Sequence, residues 1–103
     1  LVMIVDRNRL QSYGSDQEVL NMGDMAEKFR AFGCNAVEVD GHDHAALEAL
    51  LSHSGLDGSV QPTVVIANTV KGKGVSFMEN RLEWHFKSPN EEQLAQALEE
   101  LSQ

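Results

Sequence analysis

Cysteine is almost absent. Cys34 stands alone in 103 residues, so no disulfide can form within the chain. That suits a reducing compartment, and a cytoplasmic location is the expectation. Long apolar runs are missing too. They fall far short of the roughly 20 residues that cross a bilayer, which argues against a membrane-spanning helix. No charged and apolar leader precedes the first strand, so no secretory signal is expected. Basic charge is scarce: 8 Lys and Arg stand against 16 Asp and Glu, for a net charge of −8. A phosphate polymer would be repelled, which excludes bulk nucleic-acid binding. The chain also lacks a Ser-His-Asp order, HExxH, CxxC and an EF-hand loop. Nothing therefore supports nucleophilic catalysis by its own side chains.

What is present is an apolar fraction of 42%, enough for a packed core in one small domain or part of a larger one. Residues 1–5, LVMIV, read as a strand buried on both faces, the parallel-sheet pattern. RNRLQSYGSDQEV reads as an irregular loop. Asp24 with Glu27 forms a capping-box pair for a helix whose Met25, Phe29 and Phe32 share one face, and Gly33 stops it. A second strand covers 36–39. Asp43 caps a second helix with a buried stripe of Leu47, Leu50 and Leu51, which dissolves in HSGLDGS. A third strand covers 62–70. A loop of about twenty residues, 71–89, follows, and loops that long in compact domains are usually functional or mobile. Asn90 and Gln93 cap a last helix carrying Leu94, Leu98 and Leu101 on one face. Strands alternating with helices give an α/β fold, a parallel sheet with flanking helices joined by right-handed crossovers. Ligands of such sheets sit beyond the carboxyl ends of the strands.

Asp6 to Leu10, Asp40 to His42 and Thr69 to Gly74 occupy that edge, and three clusters, one of them in the long loop, could carry chemistry. In VDRNRL, Asn8 offers a neutral amide oxygen and the following loop offers backbone carbonyls, hard donors that suit Mg²⁺ alongside a bound phosphate. Asp6 and Asn8 could equally satisfy turn amides. In TVKGKG, Gly72 and Gly74 let backbone amides come close to a ligand, and Lys71 and Lys73 bring positive charge. A strand-ending turn with solvated lysines reads the same way. In ENRLEWHFKSPN, His85 between Trp84 and Phe86 is either a tuned proton carrier or a packed imidazole. Asp40, His42 and His44 have a spacing open to a metal, but a strand-to-helix turn explains them better. His53 suits a helix C-terminus, and Cys34 a small apolar packing role.

VDRNRLQ, MAEKFRAFG, VEVDGHD, PTVVIANTVKGKGVSFMEN and EWHFKSPN, taken in that order, resemble the transketolase family. The likeness covers nearly the whole chain in one register. It is to the diphosphate-binding domain of the thiamine-diphosphate-dependent transketolases, and most to the N-terminal subunit of the split form. The resemblance implies that residues 1–103 are the C-terminal portion of a thiamine-diphosphate-binding domain. The Gly-Asp-Gly half of the cofactor motif would then lie upstream of Leu1. Asn8 matches the closing Asn of that motif and Leu10 the residue giving a backbone oxygen to the metal, Mg²⁺ or Ca²⁺. Lys71 and Gly72 match the strand-end loop against the cofactor. His85 matches a histidine that reaches the diphosphate side and helps proton transfer, with Phe86 where the family usually has Gly. The implied reaction moves a two-carbon ketol unit from a ketose to an aldose. Its implied partners are sugar phosphates and a pyrimidine-binding C-terminal subunit or domain carrying the activating glutamate, in an oligomer. The chain alone is expected to be inactive. Rival readings are a related enzyme of the same cofactor, such as a deoxyxylulose-phosphate synthase or a 2-oxoacid dehydrogenase component, and a non-catalytic assembly module built on an open sheet edge.

Overall fold

The computed structural model describes residues 1–53 and 60–102, and of His53 its backbone alone. They fall into two units. The first comprises Leu1–Asn8 and Asn21–Thr69 and carries the sheet. Its strands are β1 (Val2–Arg7), β4 (Asn35–Asp40) and β5 (Thr63–Asn68), all parallel, in the order β1-β5-β4. The α/β parallel architecture expected from the alternation of elements is therefore present.

The middle strand holds the core. Thr63, Val64, Val65, Ile66 and Ala67 are all buried. A β-branched run paired on both sides can bury both faces, and each such side chain contributes about 1.5–3 kcal/mol. On one face Val64 and Ile66 meet Ala26 and Ala36, with Val5, Met25, Phe29 and Cys34 packed around them. Cys34 thus packs as a small hydrophobe.

Two helices flank this sheet. In α2 (Met25–Ala31), the Asp24 carboxylate accepts the Glu27 N–H at 2.8 Å, and Gly33 ends the helix at φ 82°. Ala26, Met25 and Phe29 face the core, but Phe32 is 84% exposed. The helix stops at Ala31, so Phe32 leaves the 3.6-residue stripe before it can join it. In α3 (His44–His53), Asp43 caps by accepting the Ala46 N–H at 2.9 Å. Leu47 and Leu50 are half-buried and Leu51 is exposed, so the expected buried stripe is narrower by one residue. The HSGLDGS segment lies outside the described residues, apart from the backbone of His53 in α3.

Among the described residues β1 pairs with β5, and residues 1–4 are exposed in this chain, Leu1 by 92% and Ile4 by 54%.

The second unit comprises Arg9–Leu20 and Val70–Gln103. RNRLQSYGSDQEV is more ordered than a loop. Leu10–Gln11 (β2) pairs antiparallel with Gly14–Ser15 (β3), and a short helix, α1 (Asp16–Val19), follows. Its capping box is complete: Ser15 Oγ accepts the Glu18 N–H at 3.2 Å, and the Glu18 carboxylate accepts the Ser15 N–H at 3.1 Å. Past the sheet, residues 71–81 form nested turns and Leu82–His85 a 3₁₀ turn. Helix α4 (Glu91–Leu101) starts at the expected Asn90–Gln93 box. Its buried residue is Ala97, whereas Leu94, Leu98 and Leu101 are 49–61% exposed.

Candidate functional site

The carboxyl edge of the sheet is built by short polar turns. Arg7 pairs in register with Asn68, and Asn8 follows directly, half-buried. Arg9 then takes a left-handed φ of 61°, which turns the chain off the strand direction and into β2. The Thr69 hydroxyl donates to the Asp6 carboxylate, and the Thr69 N–H donates to Arg7 O at 3.2 Å, tying the ends of β1 and β5 together. On the other side, the Gly41 N–H donates to Asn68 O at 2.8 Å. A side chain at Gly41 would strike Thr69, Ala67 and the Asn68 carbonyl, so only glycine lets β4 leave the sheet this close to β5. Asn68 donates to the Glu38 carboxylate at 3.1 Å. Its own Oδ1 is buried with no hydrogen-bond partner among the described residues. A buried carbonyl left so is costly, and an edge with that demand suits a polar ligand or an ordered water.

The Asp40–His44 stretch is a turn. Asp40 accepts the His42 N–H at 2.9 Å and Asp43 serves α3, so both carboxylates have local work. Among the described residues, no group of three or more His, Cys, Asp or Glu could hold a metal. The donors expected for one, the Asn8 amide oxygen and the Leu10 carbonyl, are neutral oxygens. That chemistry fits a hard cation that draws its remaining ligands from phosphate and elsewhere, and not a self-sufficient protein cage.

The second unit presents the loop that carries Lys71, Gly72 and His85. The Lys71 carbonyl accepts the Asn80 N–H at 2.9 Å and closes residues 71–80 into one turn. Gly72 has φ 75°, and a Cβ there would come within 2.7 Å of the Met78 carbonyl carbon and oxygen. The close approach that requires this glycine is thus to the loop's own far side. The Gly74 N–H donates to the Glu79 carboxylate at 3.0 Å. Ser76 donates both its N–H and its hydroxyl to Glu100 on α4, at 2.6 and 2.7 Å. Trp84 fixes the 3₁₀ turn by donating to Phe77 O at 2.8 Å while its ring leans on Phe77 at 5.2 Å. That turn holds His85 exposed, edge-on to Phe86 at 4.5 Å between ring centres. Phe86 has an ordinary φ of −119° and is 81% exposed, so a bulky residue sits there without backbone strain.

In the first unit Asn8 stands at the end of β1; in the second, Lys71 and Gly72 lie in the closed 71–80 turn and His85 on the 3₁₀ turn that follows it. Sequence reasoning missed the Thr69–Asp6 tie, Asn68 and the Glu100 contact. The first two lie at the ends of strands that periodicity located, but their partners lie on other strands and carry no local signal.

The sequence model of the family described as "Transketolase, thiamine diphosphate binding domain" matches residues 1–102. The chain belongs to the transketolase family. It is 41% identical to one subunit of the apulose-4-phosphate transketolase of Actinobacillus succinogenes, over 98% of this chain and 36% of that protein. A protein of the same description from Phocaeicola vulgatus is 36% identical, over 100% and 36%. Human transketolase is 34% identical, over 98% of this chain and 16% of its own length. The chain thus spans about a third of the length of the two apulose-4-phosphate transketolase subunits. Among the described residues, no helix of this transketolase-family chain is long and apolar enough to cross a membrane.

Proposed function

We propose that these residues form the C-terminal portion of a thiamine-diphosphate-binding domain, within a protein that transfers a two-carbon ketol unit from a ketose to an aldose. The match over residues 1–102 carries this reading. Asn8 through its amide oxygen and Leu10 through its carbonyl would hold a Mg²⁺ or Ca²⁺, which would supply positive charge for the diphosphate. Lys71 and Gly72 border the diphosphate, and His85, exposed on its anchored turn, moves protons at the reacting carbons. Thiamine diphosphate supplies the carbanion chemistry that carbon–carbon cleavage demands, and the chain contributes binding and orientation. Two relatives are named as single subunits of a transketolase, which supports a second polypeptide that completes the site with its pyrimidine-binding part. A further relative, from Clostridium, is named for 6-deoxy-6-sulfo-D-fructose. Together these names favour a ketose with an anionic end group as donor, and they favour transketolase over deoxyxylulose-phosphate synthase.

The test is calorimetric binding of thiamine diphosphate with Mg²⁺ to the intact protein, alongside a panel of ketose phosphates and pyruvate as donors. Binding, with ketol transfer from ketoses and none from pyruvate, is the expected result. No uptake of cofactor, or turnover of pyruvate alone, overturns it. The 103-residue chain by itself should show no turnover.

A further inference from the structure

Helix α4 takes no part in the site as proposed, yet one of its side chains reaches into the middle of the 71–80 loop. The two Glu100 oxygens accept three hydrogen bonds: the Ser76 N–H at 2.6 Å, the Ser76 hydroxyl at 2.7 Å and the Gln96 amide at 2.7 Å. Gln96 lies one turn earlier on the same helix, so it aims the carboxylate as well as satisfying it. It also reaches the Ser76 hydroxyl at 3.4 Å. The Ser76 N–H points away from the loop's internal turns, which use the amides of Lys73, Val75, Met78, Glu79 and Asn80. At that point the loop is held from outside. Beside it, a Cβ on Gly74 would come within 3.0 Å of Leu101, so the loop already lies close against α4.

We propose that Glu100 is a positioning residue, which through Ser76 fixes the 71–80 loop in the shape that presents Lys71 and Gly72 to the cofactor's diphosphate. The proposal rests on the functional reading above. The chemistry needs a carboxylate. All three partners are donors, and an ionised carboxylate is acceptor-only, with two oxygens to share among them. These contacts hold the carboxyl below its ordinary range, the Ser76 N–H contributing most. Glutamine at this position would keep the length but set an NH₂ against a donor. The loop is itself closed by Asn80 onto Lys71, so a shift at Ser76 passes to Lys71 through a short, tightly turned segment.

The experiment uses the intact protein with Glu100→Gln and, as a milder change that removes the hydroxyl donor alone, Ser76→Ala. Thiamine diphosphate binding with Mg²⁺ is followed by calorimetry and amide hydrogen exchange by mass spectrometry. Glu100→Gln should weaken cofactor binding about tenfold, the size typical when a residue orienting a ligand-binding group is removed. Exchange should rise at 71–80 and stay unchanged in β5. Ser76→Ala should show a smaller loss, and the double variant less than the sum of both. Cofactor affinity equal to wild type in Glu100→Gln overturns the proposal, even if exchange rises, because the contact is then structural only. Unaltered exchange at 71–80 overturns it as well. A wild-type protein that takes up no cofactor overturns the functional reading and the positioning role together, an outcome distinct from failure of the Glu100 contact alone.

Discussion

Gly72 and Gly33 share a left-handed backbone, with φ of 75° and 82°, yet an alanine at each should have very different consequences. At Gly33 the added Cβ would meet nothing within 4 Å. Gly33→Ala then carries the conformational cost alone, about 1–2 kcal/mol for an L-residue in that region. At Gly72 the same Cβ would lie 2.7 Å from the Met78 carbonyl carbon and oxygen and 2.8 Å from the Met78 Cβ. Most of those atoms are backbone and cannot swing aside. Overpacking adds roughly 1–3 kcal/mol to the conformational cost, so Gly72→Ala should cost about 2–5 kcal/mol. The loop has a local reporter, the Asn80 amide bonded to the Lys71 carbonyl at 2.9 Å. Native-state hydrogen exchange should show that amide losing protection in Gly72→Ala and keeping it in Gly33→Ala. Equal destabilisation of the two variants, or an Asn80 amide indifferent to Gly72→Ala, would refute the argument that Gly72 is required by the loop's own closure.

Asn8→Ala should raise the Mg²⁺ concentration needed for cofactor binding by about tenfold or more, read by calorimetric titration at fixed thiamine diphosphate. His85→Asn should lower kcat by about a hundredfold while moving cofactor affinity far less, as expected for a proton carrier. Ser15→Ala should cost about 1 kcal/mol through the lost cap on α1, seen as a lower thermal midpoint. The Ser15 contacts hold the Glu18 carboxyl below its ordinary 4.5, so the stabilisation from its charge is present above that pH and is lost as pH falls through the lowered value. The stability gap between wild type and Glu18→Gln should accordingly be widest near neutrality and close below about pH 4.5.

Periodicity and capping made much of this fold legible. The run TVVIA of β5 and the caps at Asp24, Asp43 and Asn90 each located an element, because each signal is local and each is satisfied locally. Phe32 shows the limit, since one residue of helix length decides whether a side chain joins the stripe. The β2–β3 hairpin is two residues a side, too short to leave an alternation. Asn8, Leu10, Lys71, Gly72 and His85 were singled out from motif and resemblance, and their roles stand as proposals. What no motif contained was the anchor of the 71–80 loop on α4, because Glu100 and Gln96 act by contact with residues far off in sequence.

That holding changes how the loop can meet an anion. Glycine-rich turns often bind phosphate through backbone N–H groups. Here most of those groups from 73 to 80 are already engaged. Lys73 donates to Val70 O, Gly74 to Glu79, Val75 to Gly72 O, Ser76 to Glu100, Met78 and Glu79 to Val75 O, and Asn80 to Lys71 O. The glycines therefore serve the loop's shape, and its amides from 73 to 80 are largely unavailable as an anion cradle. A chain of net charge −8 must draw attraction for a diphosphate from elsewhere. On the proposed reading it comes from the half-buried Lys71 side chain and above all from the divalent cation, so cofactor affinity should depend steeply on the metal and weakly on the amides from 73 to 80.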